Sequence, residues 1–287
     1  MRMKLLAVAA CLAAIPAAPG IVPAIAPASA QEAAASPTMA QVLADPRRAE
    51  DRARDAYRHP AETLAFFRVE PGMTVVDYMP AGGWFSRVLI PYLGPDGRYI
   101  GLNPDLSDDL TGYWDMYRGT RDKLPAQARE WVGGEGAEVI GSNVADLPAD
   151  LNGTVDRVLI FREVHNMMRF GWLEPSLAAM HRLLKDDGLL GVEQHRSKPD
   201  APADYTDGSK GYLNQEDVVA LFARHGFELV GSSEINANPR DPADWPDGVW
   251  TLPPGYRGAG EDAARRAELD AIGESDRMTL LFRKVAR

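Results

Sequence analysis

From Gly72 onward the chain alternates short β-branched runs with longer amphipathic ones, and that alternation restricts it to a largely parallel sheet covered by helices on both faces. The strand candidates are residues 74–78, 98–102, 137–141, 155–161, 189–194, 227–234 and 277–285. Apolar residues at helical spacing mark two connections. Leu173, Leu177, Met180 and Leu184 precede the fifth strand, and a run opening near Asn214 places Val218, Val219 and Phe222 before the sixth. Gly188 and Gly226 read as the stops of these helices. The fold class is therefore α/β, a Rossmann-like seven-stranded sheet flanked by helices.

Ahead of this pattern, residues 1–30 read as a secretory signal peptide. Arg2 and Lys4 form a positive start, and the apolar run 5–15 is shorter than the roughly 18 residues a membrane span needs. Ala28-Ser29-Ala30 offers small residues at the spacing of a cleavage site. Export to the periplasm or beyond is the expectation, with lipidation at Cys11, the single cysteine, as the alternative to cleavage after Ala30. Residues 31–45, rich in Ala, Ser and Pro, read as a flexible tether, and 46–287 as the main domain. Within that domain 46–70 reads as a helical cap broken at Pro60, and 238–273 as a long loop rich in Trp, Pro and Gly. With 41 acidic against 31 basic residues and no basic cluster, the composition argues against nucleic acid as a partner and leaves a small-molecule substrate.

The densest local signal is the stretch from Val75 to Ser86, in which a buried strand runs into small residues and then into a helix. Such a turn lets backbone approach a ligand and presents free N–H groups to it. The stretch resembles motif I of class I S-adenosylmethionine-dependent methyltransferases, with Asp77 at the acidic position and Gly83 at the third glycine, while Met79 and Ala81 stand where the first two glycines fall. The chain further resembles a group of exported bacterial proteins described as predicted methyltransferases. That resemblance is carried by 80–86, Val164-His165-Asn166-Met167, His195-Arg196, 250–254 and 274–279. It implies an antiparallel last strand and S-adenosylmethionine as cofactor, held by Asp77, Tyr78, Pro80, Ala81, Gly82, Gly83 and Trp84. After strands two and three the superfamily usually has acids for the ribose and the adenine; here Asn103 and Asn143 take those places.

Ligands of open parallel sheets gather beyond the carboxyl ends of the strands. The fourth and fifth candidate strands end in Glu163-Val164-His165 and Glu193-Gln194-His195, so an extended backbone would turn Glu163 with His165 and Glu193 with His195 to one side. His165 or His195 is then the candidate general base, with Glu163 beside it. The same four residues could instead bind a divalent metal, although none is assigned, and structural pairing with Arg162 and Arg196 is the non-catalytic possibility. Ser275-Asp276-Arg277 could fold over this pocket, or Arg277 could simply pair with Asp276; the 238–273 loop could lid it. The leading expectation is a methyltransferase acting on a small molecule. Its rivals are a ligand-binding protein that keeps the fold without the donor, and a metal-dependent enzyme.

Overall fold

The computed structural model describes residues 36–285, so the signal segment and Cys11 lie outside the described residues. The strands are β1 (Thr74–Tyr78), β2 (Arg98–Asn103), β3 (Glu138–Asn143), β4 (Val155–Phe161), β5 (Leu184–His195), β6 (Phe227–Ser233) and β7 (Arg277–Lys284). They form one seven-stranded sheet in the order β3-β2-β1-β4-β5-β7-β6. Strands β1 to β5 pair in parallel, and β7 inserts antiparallel between β5 and β6. The helices are α1 (Met39–Ala44), α2 (Asp55–Arg58), α3 (Pro60–Phe66), α4 (Ser86–Leu93), α5 (Thr120–Val132), α6 (Val164–Arg169), α7 (Leu173–Leu183), α8 (Ala203–Thr206), α9 (Gln215–Arg224) and α10 (Ala263–Ile272).

Strand alternation sorts the core into two layers. Val75, Tyr99 and Leu159 face one layer, where they meet Leu64 of α3, Val88 and Leu89 of α4 and Leu124 of α5. Val76, Tyr78, Ile100 and Ile160 face the other, against Leu177 and Met180 of α7 and Phe222 of α9. Each such side chain, fully buried, contributes about 1.5–3 kcal/mol of hydrophobic free energy. Local signals agree with the packing in α9, where Asn214 accepts hydrogen bonds from the backbone N–H groups of Glu216 and Asp217, acids occupy the first turn and Arg224 the last.

Three segments depart from the sequence expectation. Helix α7 ends at Leu183 and the chain enters β5 directly at Leu184, so Gly188 lies inside the strand, beside a register shift against β4, and is not a helix stop. The stretch expected as a tether contains α1, closed by a Thr38–Gln41 capping box and anchored by buried Val42. The long 238–273 segment holds α10, which Asp262 caps through the backbone N–H of Arg265.

The order of the sheet positions the site. The chain builds outward from β1 through β2 to β3 and then returns to lay β4 on the opposite side of β1, so the crossovers diverge between β1 and β4. Diverging connections leave a crevice at that switch point, beyond the carboxyl ends of the strands.

Candidate functional site

A cavity of about 470 Å³ opens at the switch point. This is within the usual range of small-molecule sites, about 300–1,000 Å³. Asp77 of β1 and Met79, Pro80, Ala81 and Gly82 after it form one wall, and Arg162, Glu163 and His165 after β4 form another. His195 closes the floor from the end of β5, Arg54 and Arg58 descend from the cap, and Trp250 and 252–255 cover it from the long segment.

The turn after β1 holds its shape at the expense of backbone strain. Met79 and Ala81, which stand where glycines fall in the motif it resembles, both adopt left-handed conformations (φ 55° and 49°), and Arg162 across the cavity does the same (φ 64°). Non-glycine residues in that region cost about 1–3 kcal/mol each, and such strain gathers where a site requires it. Gly82 faces open space. Gly83 (φ 77°) sits under Trp131, whose ring comes within 2.5 Å of where a Cβ would lie, so it packs closely against α5.

The titrating groups of the cavity are buried, and burial dominates their behaviour. It pushes the Asp77 carboxyl up to about 7, although the Tyr99 hydroxyl donates to it at 2.7 Å and Arg162 opposes the rise. Glu163 is likewise pushed up to about 7 by burial, against a 2.8 Å hydrogen bond from Asn166 Nδ2 and the charge of Arg162. His165 is lowered to about 4 by burial, which outweighs its contact with Gln194. His195 is driven well below the ordinary histidine value by burial, then by His165 and Arg162. Both imidazoles are therefore neutral at pH 7, with ring centres 5.7 Å apart.

Their hydrogen bonds differ. Gln194 Nε2 donates to the Gly211 carbonyl at 2.8 Å, which fixes the amide orientation, and its other N–H points to His165 Nδ1 at 3.4 Å. That arrangement places the His165 proton on Nε2. His195 Nδ1 lies 2.6 Å from Ser275 Oγ, so Ser275 does reach the pocket as expected.

Several expected contacts are absent, each for a geometric reason. Tyr78 faces the layer opposite Asp77 and bonds Ser176 Oγ at 2.9 Å in the core, as strand alternation requires. Asn103 shares the face of Tyr99 and Gly101, where it is fully buried and gives both Nδ2 hydrogens to the start of α5: to the Tyr117 carbonyl at 2.9 Å and Thr120 Oγ1 at 2.6 Å. Neither it nor Asn143 lines the cavity. His165 lies in α6, and Glu163 precedes that helix, so the two meet the cavity through a helical turn and not through an extended strand. Glu193 turns from the cavity to Arg162 (3.0 Å) and Arg277 (2.7 Å), and the second Glu-x-His set does not assemble. Among the described residues no group of three or more His, Cys, Asp and Glu is placed to hold a metal. Asp276 pairs with Arg196, not with Arg277.

Sequence reasoning missed Arg54, Arg58 and Glu274. Arg54 Nε reaches Glu274 at 2.6 Å and Arg58 Nε reaches it at 3.3 Å, across separations of 220 and 216 residues. Burial would raise Glu274, but Arg58, Arg277 and Arg54 together hold it at about 2. The visible signal was the density of arginines in the cap, at 47, 48, 52, 54 and 58.

No family model and no curated protein matches the chain. Among solved structures, a chain of the complex between the Haloferax volcanii Trm112 methyltransferase activator and a protein described as a methyltransferase is similar over 83% of this chain and 94% of its own, at 16% identity and a TM-score of 0.50. The chain has a methyltransferase fold. A SAM-dependent methyltransferase from Aquifex aeolicus is also similar, over 69% of this chain and 93% of its own, at 18% identity and a TM-score of 0.48.

The methyltransferase fold implies S-adenosylmethionine, and the two ends of that molecule fare differently against these residues. Its cationic methionyl end fits the turn 80–82 with Asp77 and Glu163, where open backbone and two carboxyl groups meet. At the ribose and adenine end Asn103 lies buried outside the cavity, its Nδ2 hydrogens given to Tyr117 and Thr120 and its Oδ1 without a hydrogen-bond partner among the described residues.

Proposed function

We propose that the chain transfers a methyl group from S-adenosylmethionine to a small-molecule acceptor bound between the turn after β1 and the histidines. The observation that carries this reading is the convergence of the Asp77–Gly82 turn and both imidazoles on one cavity at the switch point of a methyltransferase fold. When bound, the donor supplies an electrophilic methyl group on a sulfonium. The chain's own residues do the rest. The backbone of 80–82, Asp77 and Glu163 hold the cationic end; His165 offers Nε2–H as a hydrogen-bond donor to the acceptor; and His195, in the tautomer that donates Nδ1–H to Ser275 Oγ, presents the Nε2 lone pair that takes the acceptor's proton. A buried imidazole is a weaker base than a free one, so most of the acceleration comes from orientation, with Trp250 and Leu252 excluding water. The features of residues 1–30 support action outside the cytoplasm.

The experiment is calorimetry with S-adenosylhomocysteine followed by methyl-transfer assays on candidate acceptors. Binding in the wild type, and a loss of about 10²–10⁴ in kcat for His195→Gln with that binding intact, is the expected result. Absence of binding at millimolar ligand contradicts it. One observation favours a second reading, a ligand-binding protein that keeps the fold: Asn103 is buried outside the cavity with both Nδ2 hydrogens taken, so it offers no donor to a ribose there.

A further inference from the structure

The arginines around the cavity fall into two kinds. Arg87 is fully committed to structure, with Nε and Nη2 on Asp51 and Nη1 on the Gly82 carbonyl. Arg277 is committed likewise, to Glu193, the Ser275 carbonyl and the Tyr57 carbonyl. Arg54, Arg58 and Arg162 are different. Each gives a single nitrogen to the protein, the first two to Glu274 and the third to Glu193, and each lines the cavity. Their remaining N–H groups have no hydrogen-bond partner among the described residues. In this cluster four guanidiniums (Arg54, Arg58, Arg162 and Arg277) make ion pairs with two carboxylates, Glu193 and Glu274, while Glu163 and Asp77, whose carboxyls burial pushes up to about 7, lie near Arg162 without an ion pair to it. The excess of guanidiniums over ion-paired carboxylates is local, since the whole chain carries a net charge of −10.

We propose that Arg54, Arg58 and Arg162 form an oxyanion subsite that takes a carboxylate or phosphate group of the small molecule whose methylation was inferred above, and the subsite thus rests on that reading. Guanidiniums suit the task because they present paired N–H donors in the plane of such a group. Arg58 is already ordered for it: its side chain is 5% exposed and its guanidinium lies 4.6 Å from the centre of the Trp84 ring. Like charges held together away from water are costly, and a bound anion removes that cost. Burial and then the nearby Arg162 lower the Arg58 pKa well below the usual arginine value, against the opposing pull of Glu274.

The donor's own carboxylate is the other source of the same chemistry, and the test separates the two. Inorganic phosphate and succinate are titrated into the full protein by calorimetry, alone and at saturating S-adenosylhomocysteine. The acceptor subsite requires that one of the two anions binds in both conditions with the same affinity, and that Arg54→Gln and Arg162→Gln each weaken it at least tenfold. Arg54 is half-buried and Glu274 keeps two further arginines without it, so Arg54→Gln retains its fold, which circular dichroism verifies. Competition between the anion and S-adenosylhomocysteine assigns the subsite to the donor and overturns the proposal. Failure of both anions to bind, or equal binding by wild type and variants, overturns it too. Anion binding without any S-adenosylhomocysteine binding keeps the subsite and removes the methyltransferase reading instead.

Discussion

The carboxyl edge of the sheet has two halves that the same motif logic marks as ligand contacts, and they have opposite fates. On the β1, β4 and β5 side the crossovers diverge, and the residues that end these strands surround a cavity rich in charge. On the β2 and β3 side the connections run the same way, and the edge is closed: Asn103 donates to Tyr117 and Thr120 at the entry to α5, Leu124 of α5 packs against Gly101, and Tyr117 is buried. A polar residue at a strand end thus becomes a site residue only where topology leaves room for a ligand; elsewhere it is consumed by the next helix.

The largest expected contrast comes from removing charge on the open side. Glu274→Gln strips Arg54, Arg58 and Arg277 of a shared carboxylate and should lower the unfolding free energy by about 3–5 kcal/mol in urea titrations. Asn103→Ala on the closed side breaks two hydrogen bonds of a neutral amide and should cost only about 1–3 kcal/mol. Equal effects would erase the distinction between the halves.

Acid–base behaviour should also separate them. Glu163 has a folded pKa of about 7, above its unfolded value, so its contribution is full at low pH and is lost as pH rises through 7. Denaturation between pH 5 and 8 should therefore show a falling component of up to about 3 kcal/mol that Glu163→Gln abolishes. His165, lowered to about 4, acts in the opposite sense, costing stability as pH falls below the ordinary histidine value.

The two adjacent glycines offer a finer probe. Gly83→Ala forces a side chain into a left-handed position against Trp131 and should destabilise by about 1–2 kcal/mol. Gly82→Ala meets open space and should change stability by less than about 0.5 kcal/mol. Thermal unfolding of the pair distinguishes a packing glycine from a cavity glycine.

The sheet was readable because its strands carry strong apolar runs: β1 and β4 begin and end where the pattern of Val75, Val76, Val158 and Ile160 places them. Helix α10 was not recognised, although Asp262 and Gly273 bracket it, because its exposed composition gives a weak apolar stripe. In the cavity, Asp77, Pro80, Ala81, Gly82, Trp84, Glu163, His165 and His195 were accessible from motif and strand-end position alone. Tyr78 lies outside the cavity because a motif names neighbours in sequence while strand side chains alternate in space. The cap arginines escaped notice because their partner, Glu274, lies more than 200 residues away and only folding joins them.

The claim that the ligand enters the open half is tested most directly by titrating S-adenosylhomocysteine into the wild type, Gly82→Leu and Leu124→Ala. Saturable binding that Gly82→Leu abolishes and Leu124→Ala leaves unchanged is the outcome expected. Binding that survives Gly82→Leu, or that appears only when Leu124→Ala loosens the β2 side, would contradict the account.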